Sequence, residues 1–189
     1  MRELTIGIDI GGTNTKYGIV DRDGNVIYQG SISTAQYEEF KDYFGGLSAA
    51  LREAIKAVPG AHKLMGVGVG AANGNYYKGT IERATNLKWK GIIPLADMIK
   101  AEFDLPAIVT NDANAAAVGE MVYGAAKGMK DFVVITLGTG LGSGFVTNGQ
   151  LMNGKHGIAG EVGHTRGNPA GRHCNCGKRG CLETYVSAT

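Results

Sequence analysis

The apolar positions of this chain fall into short strand-like runs and longer stretches at helical spacing, separated by glycine-bearing turns. Leu4 to Asp9 predicts a first strand that runs into Gly11-Gly12-Thr13-Asn14-Thr15, and Lys16 to Val20 predicts a second. Asp21-Arg22-Asp23-Gly24 predicts a hairpin turn into a third strand, Val26 to Gln29. Phe40, Phe44, Leu47, Leu51, Ile55 and Val58 recur at helical spacing, and Pro59-Gly60 stops that helix. Met65 to Gly70 reads as a buried strand. Pro94 opens a helix over Leu95 to Phe103, Ile108-Val109 is a short strand, and Asp112 to Val122 is a helix rich in alanine. Asn73-Gly74-Asn75 and Lys78-Gly79 are turn signals between these elements.

The pattern then repeats. Phe132 to Leu137 predicts a strand, Gly138 to Gly144 a glycine loop, Phe145-Val146 a strand and Asn148-Gly149 a turn. Two similar halves, joined near residues 115 to 130, predict one nucleotide phosphate chain gripped from both sides. From residue 150 onward no regular element is assigned until Leu182 to Thr189, which reads as the opening of a helix.

Composition narrows the classes. A chain of 189 residues can bury one large core or two small ones. A net charge of +2 without a long basic run argues against nucleic acid or an anionic membrane as partner. No apolar run approaches the ~20 residues of a membrane span. The start, Met1-Arg2-Glu3-Leu4-Thr5-Ile6, lacks the apolar stretch of a signal peptide. Three clustered cysteines are not a secreted disulfide framework, so the cytoplasm is the expected compartment.

All three cysteines lie within eight residues, in the pattern His164-x9-Cys174-x-Cys176-x4-Cys181. One imidazole and three thiols are the donor set of a closed, tetrahedral structural zinc site. The alternative is a few free thiols and a surface histidine, with His173 as a weaker competing ligand. Glu161 and Glu183 bracket the cluster. In Asp9-Ile10-Gly11-Gly12-Thr13, glycines let the backbone approach phosphate oxygens, Thr13 and Thr15 can donate hydroxyls, and Asp9 can hold magnesium through water. An ordinary glycine hairpin is the competing reading. In the second loop Thr139 mirrors Thr13. Asn111-Asp112 stands at a strand end and helix start, where an aspartate caps the helix or serves as a general base. Local sequence alone favours the cap.

Several motifs together resemble one family, the ROK sugar kinases of the sugar kinase/actin/Hsp70 superfamily. They are Asp9-Ile10-Gly11-Gly12-Thr13, Asn86-Leu87-x-Trp89, Asn111-Asp112-Ala113-Asn114-Ala115-Ala116, Leu137-Gly138-Thr139-Gly140-x-Gly142, Gly160-Glu161-x-Gly163-His164 and Cys174-x-Cys176-Gly177-x-x-Gly180-Cys181-x-Glu183. The resemblance implies an α/β protein of two ribonuclease H-like (actin-like ATPase) domains, residues 1–117 and 118–189, the second incomplete. It implies ATP-dependent phosphorylation of a hexose, glucose foremost, at the 6-OH, with ATP, Mg2+ and structural Zn2+ as cofactors. Asp112 is then the catalytic base. Asn73, Gly74, Asn111, Asp112, Glu161, His164 and Glu183 are sugar ligands, and His164 serves the metal as well. Asp9, Gly11, Gly12, Thr13, Gly138, Thr139 and Gly140 hold the nucleotide and its magnesium. A homodimer is expected.

Two departures stand out. Many members carry Pro-Gly where this chain reads Ala71-Ala72-Asn73-Gly74-Asn75, which bears on preference among glucose and its 2-acetamido relatives. The family's chain also continues past the zinc loop, whereas this one ends at Thr189, so the 189 residues are expected to bind ATP weakly and turn over little. The alternatives are an N-acetylhexosamine kinase, a sugar-responsive repressor of the same family, or a sugar-binding module without catalysis.

Overall fold

Alternation along the first strand decides which side of the first sheet is core. In β1 (Arg2–Ile10), Leu4, Ile6, Ile8 and Ile10 are buried, while Thr5 and Asp9 between them face out. A tight turn closed by the Gly11 N–H on the Asn14 carbonyl (3.1 Å) leads into the antiparallel β2 (Asn14–Asp21), and β3 (Val26–Ser33) completes the meander. The computed structural model, which describes residues 1–84 and 86–188, divides the chain into two compact units, Met1–Asp112 and Ala113–Thr189.

Helix α1 (Phe40–Ala57) follows, and then β4 (His62–Ala71), which pairs parallel to β1. The helix buries Tyr43, Leu47, Leu51 and Ala54. The face is therefore rotated from the expected stripe, with Phe40, Phe44 and Ile55 half-buried at its flanks. Tyr43 sets the rotation. Its ring packs 4.3 Å from that of Trp89 and its hydroxyl reaches Thr15, so it takes the central place.

Three very short strands, β5 (Gly74–Asn75), β6 (Thr80–Glu82) and β7 (Ile92–Ile93), form a small antiparallel sheet where the sequence shows only turns. Strands of two or three residues are too short to display a period. Helix α2 (Leu95–Phe103) leads to β8 (Ala107–Thr110), which adds parallel to β4 and gives the order β3-β2-β1-β4-β8. Helix α3 (Asp112–Val122) begins two residues later.

In the second unit β9 (Phe132–Leu137), β10 (Leu141–Thr147) and β11 (Gln150–Leu151) form an antiparallel sheet in the order β11-β10-β9, the same meander as β3-β2-β1. The glycine loop is shorter than expected. Gly142, Ser143 and Gly144 already belong to β10, where the glycines let the backbone approach Ala113 and Ala117 of α3. Val133, Ile135 and Leu137 lie exposed along one side of β9. A single 3₁₀ turn (Val162–His164), two isolated bridges (Arg166 with Cys181, His173 with Arg179) and α4 (Glu183–Val186) organise the remainder. Thr189, the end of the expected last helix, lies outside the described residues. No helix among the described residues is long and apolar enough to cross a membrane.

Candidate functional site

In the first unit, strand register gathers the candidate residues at one edge of the sheet. Asp9 pairs with Gly70 of β4, and Gly70 pairs with Thr110 of β8. That row sits at the carboxyl end of three parallel strands, the edge where open α/β sheets bind ligands. Asn111 and Asp112 follow Thr110 directly, and Asp112 is exposed as the first residue of α3. Asp9 is exposed as well, and Lys16 is its cross-strand partner. Partial shielding of the carboxyl from water by its surroundings raises the Asp9 pKa above the ordinary value, the charge of Asp112 raises it further, and Lys16 pulls it back.

The turn after β1 brings Gly11, Gly12 and Thr13 to the same edge. A Cβ on Gly12 would stand 2.5 Å from the Asn86 carbonyl oxygen, so the loop lies flush on the Asn86 segment. The Thr13 carbonyl accepts from the Thr34 and Ala35 N–H groups at 2.9 and 3.2 Å. Thr15 departs from expectation. It is fully buried, with hydroxyl partners in Thr34 and Tyr43 at 2.8 Å each, so it braces the turn from within and offers nothing to a phosphate. Gly74 lies against β8, with the Thr110 carbonyl oxygen 2.2 Å from where a Cβ would sit. Asn73 holds a positive φ of 56°, and its side-chain amide donates to the Glu82 carbonyl at 3.0 Å. One half of that side chain is thus committed to the small sheet.

In the second unit the glycine loop Gly138-Thr139-Gly140 is closed by the Gly138 N–H on the Gly140 carbonyl at 3.0 Å. The segment carrying Glu161 and His164 is seated on β10. The Ser143 hydroxyl donates to the Gly160 carbonyl, and Gly163 packs so closely on Leu141 that a Cβ would fall 2.3 Å from its carbonyl oxygen.

His164, Cys174, Cys176 and Cys181 converge, their donor atoms all within 4.8 Å of one another. His164 Nδ1 lies 3.6 Å from Cys174 Sγ, and Cys176 Sγ lies 3.6 Å from Cys181 Sγ. Zinc bonds of ~2.3 Å to sulfur and ~2.0 Å to nitrogen make the edges of a tetrahedral site about 3.6 to 3.8 Å, so the quartet fits a closed structural zinc site. With Nδ1 turned to the thiols, Nε2 is left for a second partner. Without metal, burial pushes the Cys174 thiol up to about 12, and the neighbouring thiols of Cys176 and Cys181 add to that effect. His173 stands outside the quartet, and its backbone pairs with that of Arg179 in an isolated β-bridge. Gly180 makes the loop possible: its φ is +75° and a Cβ would sit 1.6 Å from the Asn168 carbonyl oxygen.

Two features escape a reading of the sequence. Glu183 accepts from the Leu141 N–H at 3.1 Å through Oε2, while Oε1 lies 3.6 Å from Cys174 Sγ and 4.0 Å from His164 Nδ1. Arg172, to which the sequence assigns no role, donates to the Thr184 carbonyl at 2.7 Å and stacks over the Tyr185 ring. Both are long-range contacts of otherwise ordinary residues, and no local signal announces them.

The family model described as the ROK family matches residues 5–189. A glucokinase of Streptomyces coelicolor is 40% identical over 185 residues, covering 97% of this chain and 56% of that protein. A xylose repressor of Caldicellulosiruptor bescii is 34% identical over 185 residues, covering 96% of this chain and 46% of the repressor. Among solved structures, a ROK family glucokinase from Streptomyces griseus in complex with glucose and AMPPNP superposes with a TM-score of 0.81 at 40% identity. That match covers 97% of this chain and 57% of the other. The chain thus spans a little over half the length of the glucokinases it matches.

Proposed function

The chain belongs to the ROK family, and from that premise we propose that its residues serve the ATP-dependent phosphorylation of a hexose, glucose foremost, at its 6-OH. The carrying observation is the pair of carboxylates, Asp9 and Asp112, at the carboxyl edge of β1, β4 and β8, close enough for the charge of Asp112 to raise the Asp9 pKa. Phosphoryl transfer asks mainly for positioning and charge neutralisation, with one base near the attacking oxygen. Asp112 takes the hydroxyl proton, and Asp9 stands on the magnesium side of the nucleotide. In the first unit Asn73, Gly74 and Asn111 contact sugar, while Gly11, Gly12 and Thr13 approach phosphate oxygens through backbone and hydroxyl.

In the second unit Gly138, Thr139 and Gly140 do the same for phosphate, Glu161 and Glu183 accept from sugar hydroxyls, and His164, with Nδ1 on the metal side, donates its Nε2–H to a sugar oxygen. Carboxylates on vicinal hydroxyls discriminate strongly against sugars that lack one. His164, Cys174, Cys176 and Cys181 would hold zinc, which would supply a fixed frame for this loop. Thiols used as metal ligands and ATP as phosphate donor favour the cytoplasm as the reaction's compartment. Val133, Ile135 and Leu137, exposed beside the edge of a sheet, favour a homodimer, which sedimentation would test.

A coupled assay of ADP release by the full-length gene product, with glucose, mannose, N-acetylglucosamine and N-acetylmannosamine, tests the reaction. Glucose is expected to give the highest kcat/KM, and no turnover with any of the four would overturn the proposal. Similarity to the xylose repressor favours a second reading, a sugar-responsive module without catalysis. That reading requires sugar binding that does not change with ATP and no ADP release for Asp112→Asn to abolish.

A further inference from the structure

The glycine loop of the second unit is held in place by the segment that leaves the metal quartet. The Glu183 carboxylate takes the Leu141 N–H at 3.1 Å, and the Ala188 N–H reaches the Gly138 carbonyl at 2.9 Å, one contact at each end of Gly138-Thr139-Gly140. Between them Gly140 lies flush on the carboxylate, for a Cβ there would stand 2.4 Å from Glu183 Oε2.

The same segment is tied back to the metal loop. Cys181 is a member of the quartet two positions before Glu183, and the Thr184 hydroxyl caps the Cys181 carbonyl at 2.8 Å. The Arg172 guanidinium donates to the Thr184 carbonyl at 2.7 Å, and the Arg172 N–H donates to the Tyr185 hydroxyl at 3.2 Å. The other Glu183 oxygen faces Cys174 and His164. One short helical turn therefore touches the metal loop on one side and both ends of the glycine loop on the other.

We propose that Glu183 is a positioning residue through which the metal loop sets the shape of the Gly138–Gly140 loop, so that metal occupancy and triphosphate binding are thermodynamically linked. The phosphate half rests on the kinase reading, whereas the mechanical half rests on the contacts alone. Outer-sphere carboxylates commonly fix what a metal site orients. Linkage is reciprocal, so nucleotide should raise zinc affinity by the same factor that zinc raises nucleotide affinity.

The test is amide exchange, read residue by residue by NMR, in the full chain loaded with zinc and stripped by a chelator. Stripping is expected to speed exchange at Leu141 at least about tenfold while the amides of β1 and β4 keep their rates. Zinc-loaded Glu183→Ala is expected to exchange at Leu141 as fast as stripped wild type. Glu183→Gln, whose amide oxygen still accepts, is expected to stay slow. A slow Leu141 in zinc-loaded Glu183→Ala overturns the proposal, even if stripping unfolds the whole unit. AMPPNP titration judges the ligand half: about five- to fifty-fold tighter binding to the loaded form supports it. Equal affinity for both forms removes it. AMPPNP that binds neither form counts against the kinase reading and leaves the exchange result to decide the clamp.

Discussion

The hydroxyl of Thr15 lies 2.8 Å from that of Tyr43, joining the strand after the first glycine turn to the helix that covers the sheet. Thr34 completes the trio, also at 2.8 Å. Thr15→Val keeps the shape and removes the hydroxyl, leaving buried partners unpaired, which costs about 1 to 3 kcal/mol. Thermal or urea unfolding should show that loss, with nucleotide affinity unchanged at temperatures where the variant is folded. Thr13→Ala should do the reverse, leaving stability alone and weakening nucleotide binding.

Asp9 works against the fold when ionised. Its folded pKa is raised by burial and by Asp112, so the folded state holds the proton more tightly than the unfolded chain does. Its carboxylate therefore lowers stability above the folded pKa, and that penalty is relieved as pH falls through it. Asp9→Asn should raise the melting temperature at neutral pH and flatten this part of the pH profile, while weakening the response of nucleotide binding to magnesium. A lower melting temperature for the variant at pH 7 would contradict the sign.

Asp21 has the opposite sign. Arg2, at 2.5 Å, and the Asn25 amide hold its carboxyl at about 2. The contribution is complete above the unfolded value of 3.8 and is lost as pH falls toward 2. Asp21→Asn should therefore remove part of the acid sensitivity in that window and leave activity untouched, as acid titration followed by circular dichroism would reveal.

Asp112→Asn in the full-length gene product tests the base directly. General-base removal typically costs about 10²- to 10⁴-fold in rate. The expected result is a loss of kcat in that range with glucose affinity retained within a few-fold by calorimetry. Retained turnover would reassign Asp112 to the capping role that its place at the start of α3 also allows.

Gly180→Ala probes the metal loop. With φ at +75° and the Asn168 carbonyl where the Cβ would go, the loop must open to admit a methyl group. Zinc affinity, measured by competition with a chromogenic chelator, should fall at least about tenfold. Gly177→Ala is a fair comparison, for its φ is +88° but its Cβ would meet open space. It should cost less.

The strongest sequence signals were those a few residues long. Pro94 and the Asn111-Asp112 pair mark helix starts, and α2 and α3 begin and end where their patterns do. The Cys/His quartet was legible because its spacing carries the chemistry. The rotated face of α1 was not, since two apolar stripes compete on that helix and a hydroxyl partner on another strand decides between them. The fate of Thr15 follows from the same bond. The contact between Glu183 and Leu141 spans 42 positions and involves a backbone N–H, which no side-chain pattern encodes.

The quartet closes within one short stretch, whereas β1 must find β4 across an intervening hairpin and helix. Closing a short loop sacrifices little chain entropy, and local contacts form early. Zinc can therefore be captured while the longer pairings are still being searched. Its release on unfolding should be a late event, and refolding rates at limiting and saturating zinc should differ for the second unit alone.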